Sequence, residues 1–584
     1  MVAMVQSRLA VLTAITTKAR LLFLANRKVP VVLLLLVAVG IYSNMMFVSS
    51  FRSSRYSGLS HNKPNVDQFD YIPSHSRDQD YLSRMAISAE TVQLNYKPML
   101  WTGYSGDLDI TDLAVSDYST TPCRFIQHKE GLGVADQKIL SDDLASVRKL
   151  LIATSYSELV TQNEPEDVDV SSLVNLRWAR FSGASVWLAD YNVHLLVSRV
   201  MYAKDGVFGT PTASFIRAQV YDRNWNELMN YSLKLVDSKG EVYKQITFPT
   251  LFDVGFNPET DRDMAGAEDP KIALRVNSDG KEEPVIFFNM FNGKIAGRRA
   301  YHAYLPFSKH DYLVGFSVPD VPQKEADKDW VPFFARDVGD SGEITGFVYF
   351  IYQFNPLTVI KCSMDYGECH VAFQHDSEKY PSSIDSHITM GSNLILLPQG
   401  VPTAEFGAYG AKKRDVWVGF SNLKLYNCGC GDATFRPSLF VLILDGDNFR
   451  IEFGTTSVDF GLTVAPIHSE NVASCQADDK SILTVGSVGS WDVTSYDKET
   501  HLYEDYMSIV LTEADRQISV VRLTGVLNYI LGSRRLEHKS KRVAERLYAD
   551  EHVQRSIRVQ QCALYSAKDY CTEYAAKHSF REEM

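Results

Sequence analysis

Two adjacent carboxylates, Glu268 and Asp269, followed by Pro270 and Lys271, make up the segment of this chain best equipped for chemistry. Proline disfavours the helical region for the residue before it, which predicts an extended Asp269. Neighbouring side chains on an extended chain point to opposite faces, so the pair is predicted to divide, with one carboxylate facing a central site. Two carboxylates this close resist ionising together, and the one that keeps its proton more tightly suits acid or base catalysis. The same residues would also serve as a loop with a capping acid ahead of a strand.

Three further segments carry reactive side chains. In PVIFFNMFNGKIAGRRAYHAYLPF, Asn289 and Asn292 sit among aromatic residues, and Lys294, Arg298 and Arg299 follow within ten residues of Asn289. Rings cover the apolar face of a sugar and arginines grip phosphate oxygens, so this mixture suits a sugar diphosphate. Lys328-Asp329-Trp330-Val331-Pro332-Phe333 sets a cation beside a tryptophan on a second proline-restricted turn. Trp417-Val418-Gly419-Phe420-Ser421-Asn422 leads into Asn427-Cys428-Gly429-Cys430-Gly431 and Phe435-Arg436-Pro437-Ser438. An Asp-x-Asp element at Asp107 and Asp109 resembles the manganese-binding pair of other sugar-nucleotide enzymes, although that spacing is common in turns. A divalent cation such as manganese is therefore the cofactor to test for, and no residue is assigned as a metal ligand.

The elements that must position these segments are mostly strands. Runs dense in Val, Ile, Phe, Tyr and Leu, such as SVWLADYNVHLLVSRVMYA, GFVYFIYQF, SLFVLILDGDNFRIEFG and MSIVLTEADRQISVVRL, are separated by turn residues. Long helical patterns do not alternate with them, which argues against a doubly wound parallel sheet and for a sandwich, barrel or propeller. Helical spacing is confined to residues 141–160 and to the tail from about 536, whose basic stretch 539–546 reads as a solvated face.

Residues 29–48 carry no charge, and a spanning helix needs about 20 apolar residues. Arg8, Lys18, Arg20, Arg27 and Lys28 precede this segment without an acid, against Arg52, Arg55 and Lys63 after it, so the bias predicts a cytosolic amino terminus. The expected organisation is a cytosolic tail at 1–28, a transmembrane signal-anchor at 29–48, a stem at 49–95, a lumenal catalytic domain at 96–535 and a helical extension at 536–584. A mitochondrial presequence is the competing reading of the acid-free 1–28.

All eight cysteines lie beyond the apolar segment, which suits an oxidising compartment. Cys362 with Cys369 and Cys562 with Cys571 are plausible local pairs, though spacing does not determine connectivity. Asn230-Tyr231-Ser232 is a glycosylation sequon. Formal charge is −12 over the chain and +8 over residues 1–66, hence −20 beyond them. Such a domain is not expected to bind nucleic acid, and any anionic ligand must be held by a local basic cluster.

In the GAEDPK, KDW-PF, FNPLTVIKC and NCGCG…FRP elements, taken in order over roughly residues 101–525, the chain resembles the fungal β-mannosyltransferases, which add β-1,2-linked mannose to cell-wall mannans and glycolipids. That resemblance implies a Golgi type II membrane glycosyltransferase that transfers mannose from GDP-mannose, with inversion, to a mannan, N-glycan, O-glycan or glycolipid acceptor. The Glu-Asp-Pro-basic and Lys-Asp-Trp elements are also similar to those of the β-mannoside phosphorylases, which are five-bladed propellers. This second resemblance implies a mainly β fold with a five-bladed β-propeller in the lumenal domain, although Lys271 stands where the phosphorylase motif commonly has arginine. It further implies Asp269 as the catalytic carboxyl, acting as general base in the transfer direction. Glu268 and Asn289 are then expected on mannose hydroxyls, Arg298, Arg299, Lys328 and Arg436 on the diphosphate, and Trp330 as the sugar-facing wall. The competing functions are a mannoside phosphorylase and a non-catalytic carbohydrate-binding propeller.

Overall fold

A computed structural model describes residues 94–106, 122–162, 164, 169–256, 265–277, 281–292, 298–321, 328–335, 346–376, 388–398, 401, 414–426, 432–467, 479–535 and 549–577. These belong to one compact unit, 69–584. The proposed tail and anchor, nearly all of the stem, and the Asp107 and Asp109 pair lie outside the described residues. Among the described residues no helix is long and apolar enough to cross a membrane.

Seven strands close a hydrogen-bonded circuit. In pairing order they are Ala433–Asp445, Asn448–Thr455, Tyr96–Ser105, Gln127–Ala135, Gln517–Thr524, Leu502–Glu513 and Lys480–Asp497, and the last returns to the first through parallel pairing of Ala433 with Lys480. This barrel is part of an 11-stranded sheet, beside a five-stranded sheet, two four-stranded sheets and a two-stranded sheet. The five-bladed propeller expected from the phosphorylase resemblance is therefore corrected, since such a propeller needs separate four-stranded blades. The physical cause is non-local. Tyr96–Ser105, the first described strand, inserts between a late strand and its own hairpin partner, and closure leaves the ring without unpaired edges. Strand periodicity is common to barrel, sandwich and propeller, so it carries no information about that closure.

Trp101, Leu132, Phe453, Val485, Met507 and Val521 belong to one buried core contributed by the barrel strands, and helix Val526–Arg535 adds Leu527 and Tyr529. The five-stranded sheet has a different character. Its strands Val193–Tyr202 and Ala213–Tyr221 are buried along their whole length, as expected for central strands covered on both faces. Their polar side chains must then be paired internally. Arg180 donates to Ser198, Gln219 and the Leu140 carbonyl, and Arg217 donates to Asp142 at 3.0 Å. Asp142 precedes helix Leu144–Ile152, whose N-terminus is capped by Asp143 through the amides of Ala145 and Ser146.

Helix Ala549–Lys577 lies against strand Asn448–Thr455 and is tied to the turn at Cys123–Phe125 by the Cys123–Cys562 disulfide. Cys362 and Cys369 form the second described bridge, across a hairpin, and Cys571 is also disulfide-bonded. A Cys562–Cys571 bridge is absent because both lie on one unbroken helix. Nine residues at a rise of about 1.5 Å separate them far beyond the roughly 7 Å that a disulfide spans.

Candidate active site

The Glu268-Asp269 segment is where the chain leaves one sheet for the next. Ala265 and Gly266 pair in parallel with Ala213 and Ser214 of the five-stranded sheet, and two residues later Glu268 pairs with Asn289 in a four-stranded sheet. Gly266 has φ +91°, and a Cβ there would collide with the Ser214 carbonyl oxygen, so only glycine makes this crossing. Immediately afterwards the register slips between Glu268 and Lys271, placing Asp269 and Pro270 in a bulge.

Asp269 adopts φ +50°, in the left-handed region, not the extended one predicted from the following proline. A non-glycine residue held there costs on the order of 1 kcal/mol, and such residues cluster at functional sites. The bulge also cancels the strict alternation of faces. Glu268 and Asp269 do not divide between opposite sides but meet the same guanidinium: Arg199 Nη2 lies 2.6 Å from Glu268 Oε1, and its Nη1 lies 3.8 Å from Asp269 Oδ1.

Arg199 comes from the fully buried strand Val193–Tyr202. It also donates to Ser214 Oγ at 2.9 Å and lies over the Phe181 ring. Glu268 is buried and receives a second cation, Arg299, at 2.7 Å, while Arg299 Nε donates to Asn289 Oδ1 at 3.1 Å. Burial raises the Glu268 pKa and the two arginines pull it down. Glu268, Asn289, Arg199 and Arg299 thus form a closed polar brace. Asp269 is its open end, with 30% of its side chain exposed.

That open end lines a cavity of about 1430 Å³ between the five-stranded sheet and one rim of the barrel. The opposite wall contributes Asp515, which follows Ala514 in a hairpin turn where both residues have positive φ, +51° and +50°. Burial and then the charge of Asp269 push the Asp515 carboxyl up to about 6, against the pull of Arg199 and Lys480. Lys480, Arg180 and Asn422 line the same cavity. Its volume exceeds the ~300–1,000 Å³ typical of small-molecule sites and accommodates a ligand larger than a monosaccharide.

The other sequence-selected residues are dispersed. Lys271 is buried and reaches the Gly486 carbonyl at 3.5 Å; burial lowers its pKa, with Asp269 and Asp329 opposing. Trp330 is 1% exposed and packed against Tyr301, Phe350 and Tyr352, so its ring faces are occupied by protein. Arg436 is 0% exposed, donates to Ser481 and stacks over Tyr574 of the C-terminal helix. Lys328 is exposed. The backbone of Arg298 pairs with Asn292, and its side chain lies outside the described residues. Arg199 and Asp515 were not singled out by sequence. A lone arginine inside the apolar run VHLLVSRVMY was a usable signal, because arginine is almost never fully buried unless its guanidinium is paired; Asp515 carried no signal beyond an acid in a turn.

Comparison with known proteins adds the family. A profile described as beta-mannosyltransferases matches residues 122–304 and 306–570. The chain belongs to the β-mannosyltransferase family. It is similar to Beta-mannosyltransferase 2 of Komagataella phaffii, 31% identical over 491 residues, which cover 82% of this chain and 73% of that one. Beta-mannosyltransferase 4 of the same yeast is 32% identical over 501 residues, covering 84% and 88%. Among solved structures, a GDP-Man-dependent mannosyltransferase from Leishmania mexicana covers 60% of this chain and 85% of its own at 8% identity and a TM-score of 0.33, too remote a likeness to carry an argument. As a β-mannosyltransferase of a fungal family the chain is a glycosyltransferase, and the cavity walled by Asp269 and Asp515 is its candidate active site. Among the described residues no group of three or more His, Cys, Asp or Glu side chains is arranged to hold a metal ion.

Proposed function

We propose that this β-mannosyltransferase transfers mannose from GDP-mannose to a mannoside hydroxyl of a cell-wall mannan, N-glycan, O-glycan or glycolipid, with inversion and formation of a β-1,2 linkage. Asp269 is the general base. The acceptor hydroxyl gives its proton to the Asp269 carboxylate as its oxygen forms the new bond to mannose C1, and the C1–oxygen bond to the diphosphate breaks with its electron pair leaving on GDP. Inversion requires the acceptor and the departing diphosphate on opposite faces of the mannosyl ring. Arg199 keeps Asp269 in the left-handed bulge, and Glu268, Asn289 and Arg299 act as positioning residues because they hold Arg199. Lys480 on the cavity wall offsets diphosphate charge.

The observation that carries this reading is the open, braced carboxylate: Asp269 faces the cavity while its neighbour is neutralised by two arginines. The two described disulfides and the exposed Asn230 of the sequon support a location in an oxidising secretory compartment, and we place the catalytic unit in the Golgi lumen.

The test is incubation of the purified full-length protein with GDP-mannose and a mannoside acceptor, with manganese and separately with a chelator, followed by linkage analysis of the product by NMR. A β-1,2-linked mannose and stoichiometric GDP are expected. A folded preparation that transfers nothing under either metal condition overturns the proposal, and phosphate-dependent release of mannose 1-phosphate would assign a phosphorylase instead.

A further inference from the structure

Asp515 sits in the turn between strands Leu502–Glu513 and Gln517–Thr524, on the cavity wall opposite Asp269. The turn closes through the Arg516 amide, which donates to the Glu513 carbonyl at 3.0 Å, and its tip is fixed by the Ala514 amide, which donates to the Ile482 carbonyl at 2.8 Å. Ala514 and Asp515 are both left-handed, and asparagine or glycine suits such a turn at least as well as aspartate. The charge is therefore not required by the backbone. Nor does the turn hold it. Asp222, Asp237 and Asp497 each open a hairpin turn and accept two amides of that turn, whereas among the described residues no group donates a hydrogen bond to Asp515. Its side chain is half-buried and not enclosed, so the carboxylate is reachable from the cavity. Burial and the charge of Asp269 raise its pKa to about 6, so at neutral pH an anion stands at this wall, opposed by Arg199 and Lys480.

A carboxylate only accepts hydrogen bonds, so a ligand that satisfies Asp515 must bring donors. The phosphate oxygens of a sugar nucleotide bring negative charge and no donor. A guanine edge does offer donors, but in GDP-mannose the ribose and the diphosphate separate it from C1, while Asp515 lies near enough to Asp269 for their charges to interact. Sugar hydroxyls are the donors beside the reacting carbon, and two neighbouring hydroxyls match the two carboxylate oxygens. We infer that Asp515 is a further substrate-contacting residue, which accepts from neighbouring hydroxyls of a mannosyl unit and orients that unit across the cavity from Asp269. The inference rests on the proposed mannosyl transfer for the identity of the sugar. The unit is either the donor mannose or the mannoside acceptor, and the two are separated by experiment.

Asp515→Asn keeps the shape and removes the charge, and Asp515→Gly suits the left-handed turn and removes the side chain. For both, the expected result is unchanged affinity for GDP alone and a KM higher by about tenfold or more for one substrate, the range for loss of a hydrogen bond to a charged group. The melting temperature of Asp515→Asn at pH 7.5 is expected to equal or exceed that of the wild type, which separates the loss from misfolding. A rise confined to GDP-mannose assigns the donor sugar, and a rise confined to the mannoside assigns the acceptor. Values of KM within about twofold of wild type for both substrates overturn the inference. So does a parallel loss of GDP affinity, which would assign the contact to guanine, and so does a rise seen with manganese but not with a chelator, which would assign it to a cation. Should the wild type transfer nothing, the proposed function fails by itself. The inference is then read by titration calorimetry of a methyl mannoside and mannobiose against wild type and Asp515→Gly, where equal affinities overturn it.

Discussion

Among the described residues two arginines each hold a pair of carboxylates, and one of these pairs faces the cavity of the candidate active site. Arg450 lies 2.6 Å from Glu452 and 3.4 Å from Asp445, in strands whose register slips at Glu452, and the covering helix supplies Ser556, whose Oγ accepts from the amide of Ile451. Arg199 lies 2.6 Å from Glu268 and 3.8 Å from Asp269. Composition and distance are nearly the same. Both sets include a β-bulge, at Asp269 and at Glu452; the differences are a left-handed backbone at Asp269 and 30% exposure against 17% for Asp445. A buried arginine–carboxylate set is thus not in itself a sign of chemistry; the sign is a set whose packing stops short of one carboxylate.

The largest effect that would break this comparison is on the two aspartates. Asp269→Asn is expected to lower kcat by about 10²- to 10⁴-fold, the range for loss of a positioned general base. Asp445→Asn is expected to leave kcat unchanged. Measured transfer rates of the two folded variants decide it, and equal activities would remove the distinction. Next come the arginines. Arg199→Met and Arg450→Met each strand a buried carboxylate, for which about 3–5 kcal/mol of destabilisation is expected in urea unfolding. Per folded molecule only Arg199→Met should lose activity.

The smallest effect concerns Asp515, which faces Asp269. Its carboxyl is raised in the folded protein to about 6 from an ordinary 3.8. A raised carboxyl pKa means the folded state binds the proton more tightly, so this group favours folding below pH ~4, and that contribution is lost as pH rises through about 6. Asp515→Asn should therefore be more stable than wild type by on the order of 2 kcal/mol above pH 6, with the gap closing below pH 4. Unfolding curves at pH 3.5, 5 and 7.5 test it. A gap that does not vary with pH would show that the charge of Asp515 is not opposed in the folded state.

The legible part of the site was local. The Glu268-Asp269-Pro270 run marks a constrained backbone because proline acts on the torsions of the residue before it. Proline by itself predicts an extended Asp269, and the register slip against Phe287 and Asn289 carries it into the left-handed region instead. Trp330 and Arg436 have side chains that sugar and phosphate sites use, yet they are absorbed by the aromatic core and by Ser481 and Tyr574. Residue type states what a group can bind, and packing decides whether it is available to do so.

By itself the sequence determined a chain dominated by β-strands, a helical region within 141–160 and a helical tail, though not the helices Val170–Arg177 and Val526–Arg535, and it also gave the short segment where two carboxylates meet a proline, and a family. These are properties of neighbouring residues or of motifs read in order. Tertiary structure decided that Tyr96–Ser105 closes a seven-stranded ring, and that Arg199, 69 residues before Glu268, braces it. It also brought Asp515 and Asn422 to the wall that Asp269 faces. The reason is that hydrogen-bond closure and the burial of a charge are satisfied by partners from anywhere in the chain, and only the folded geometry selects which ones.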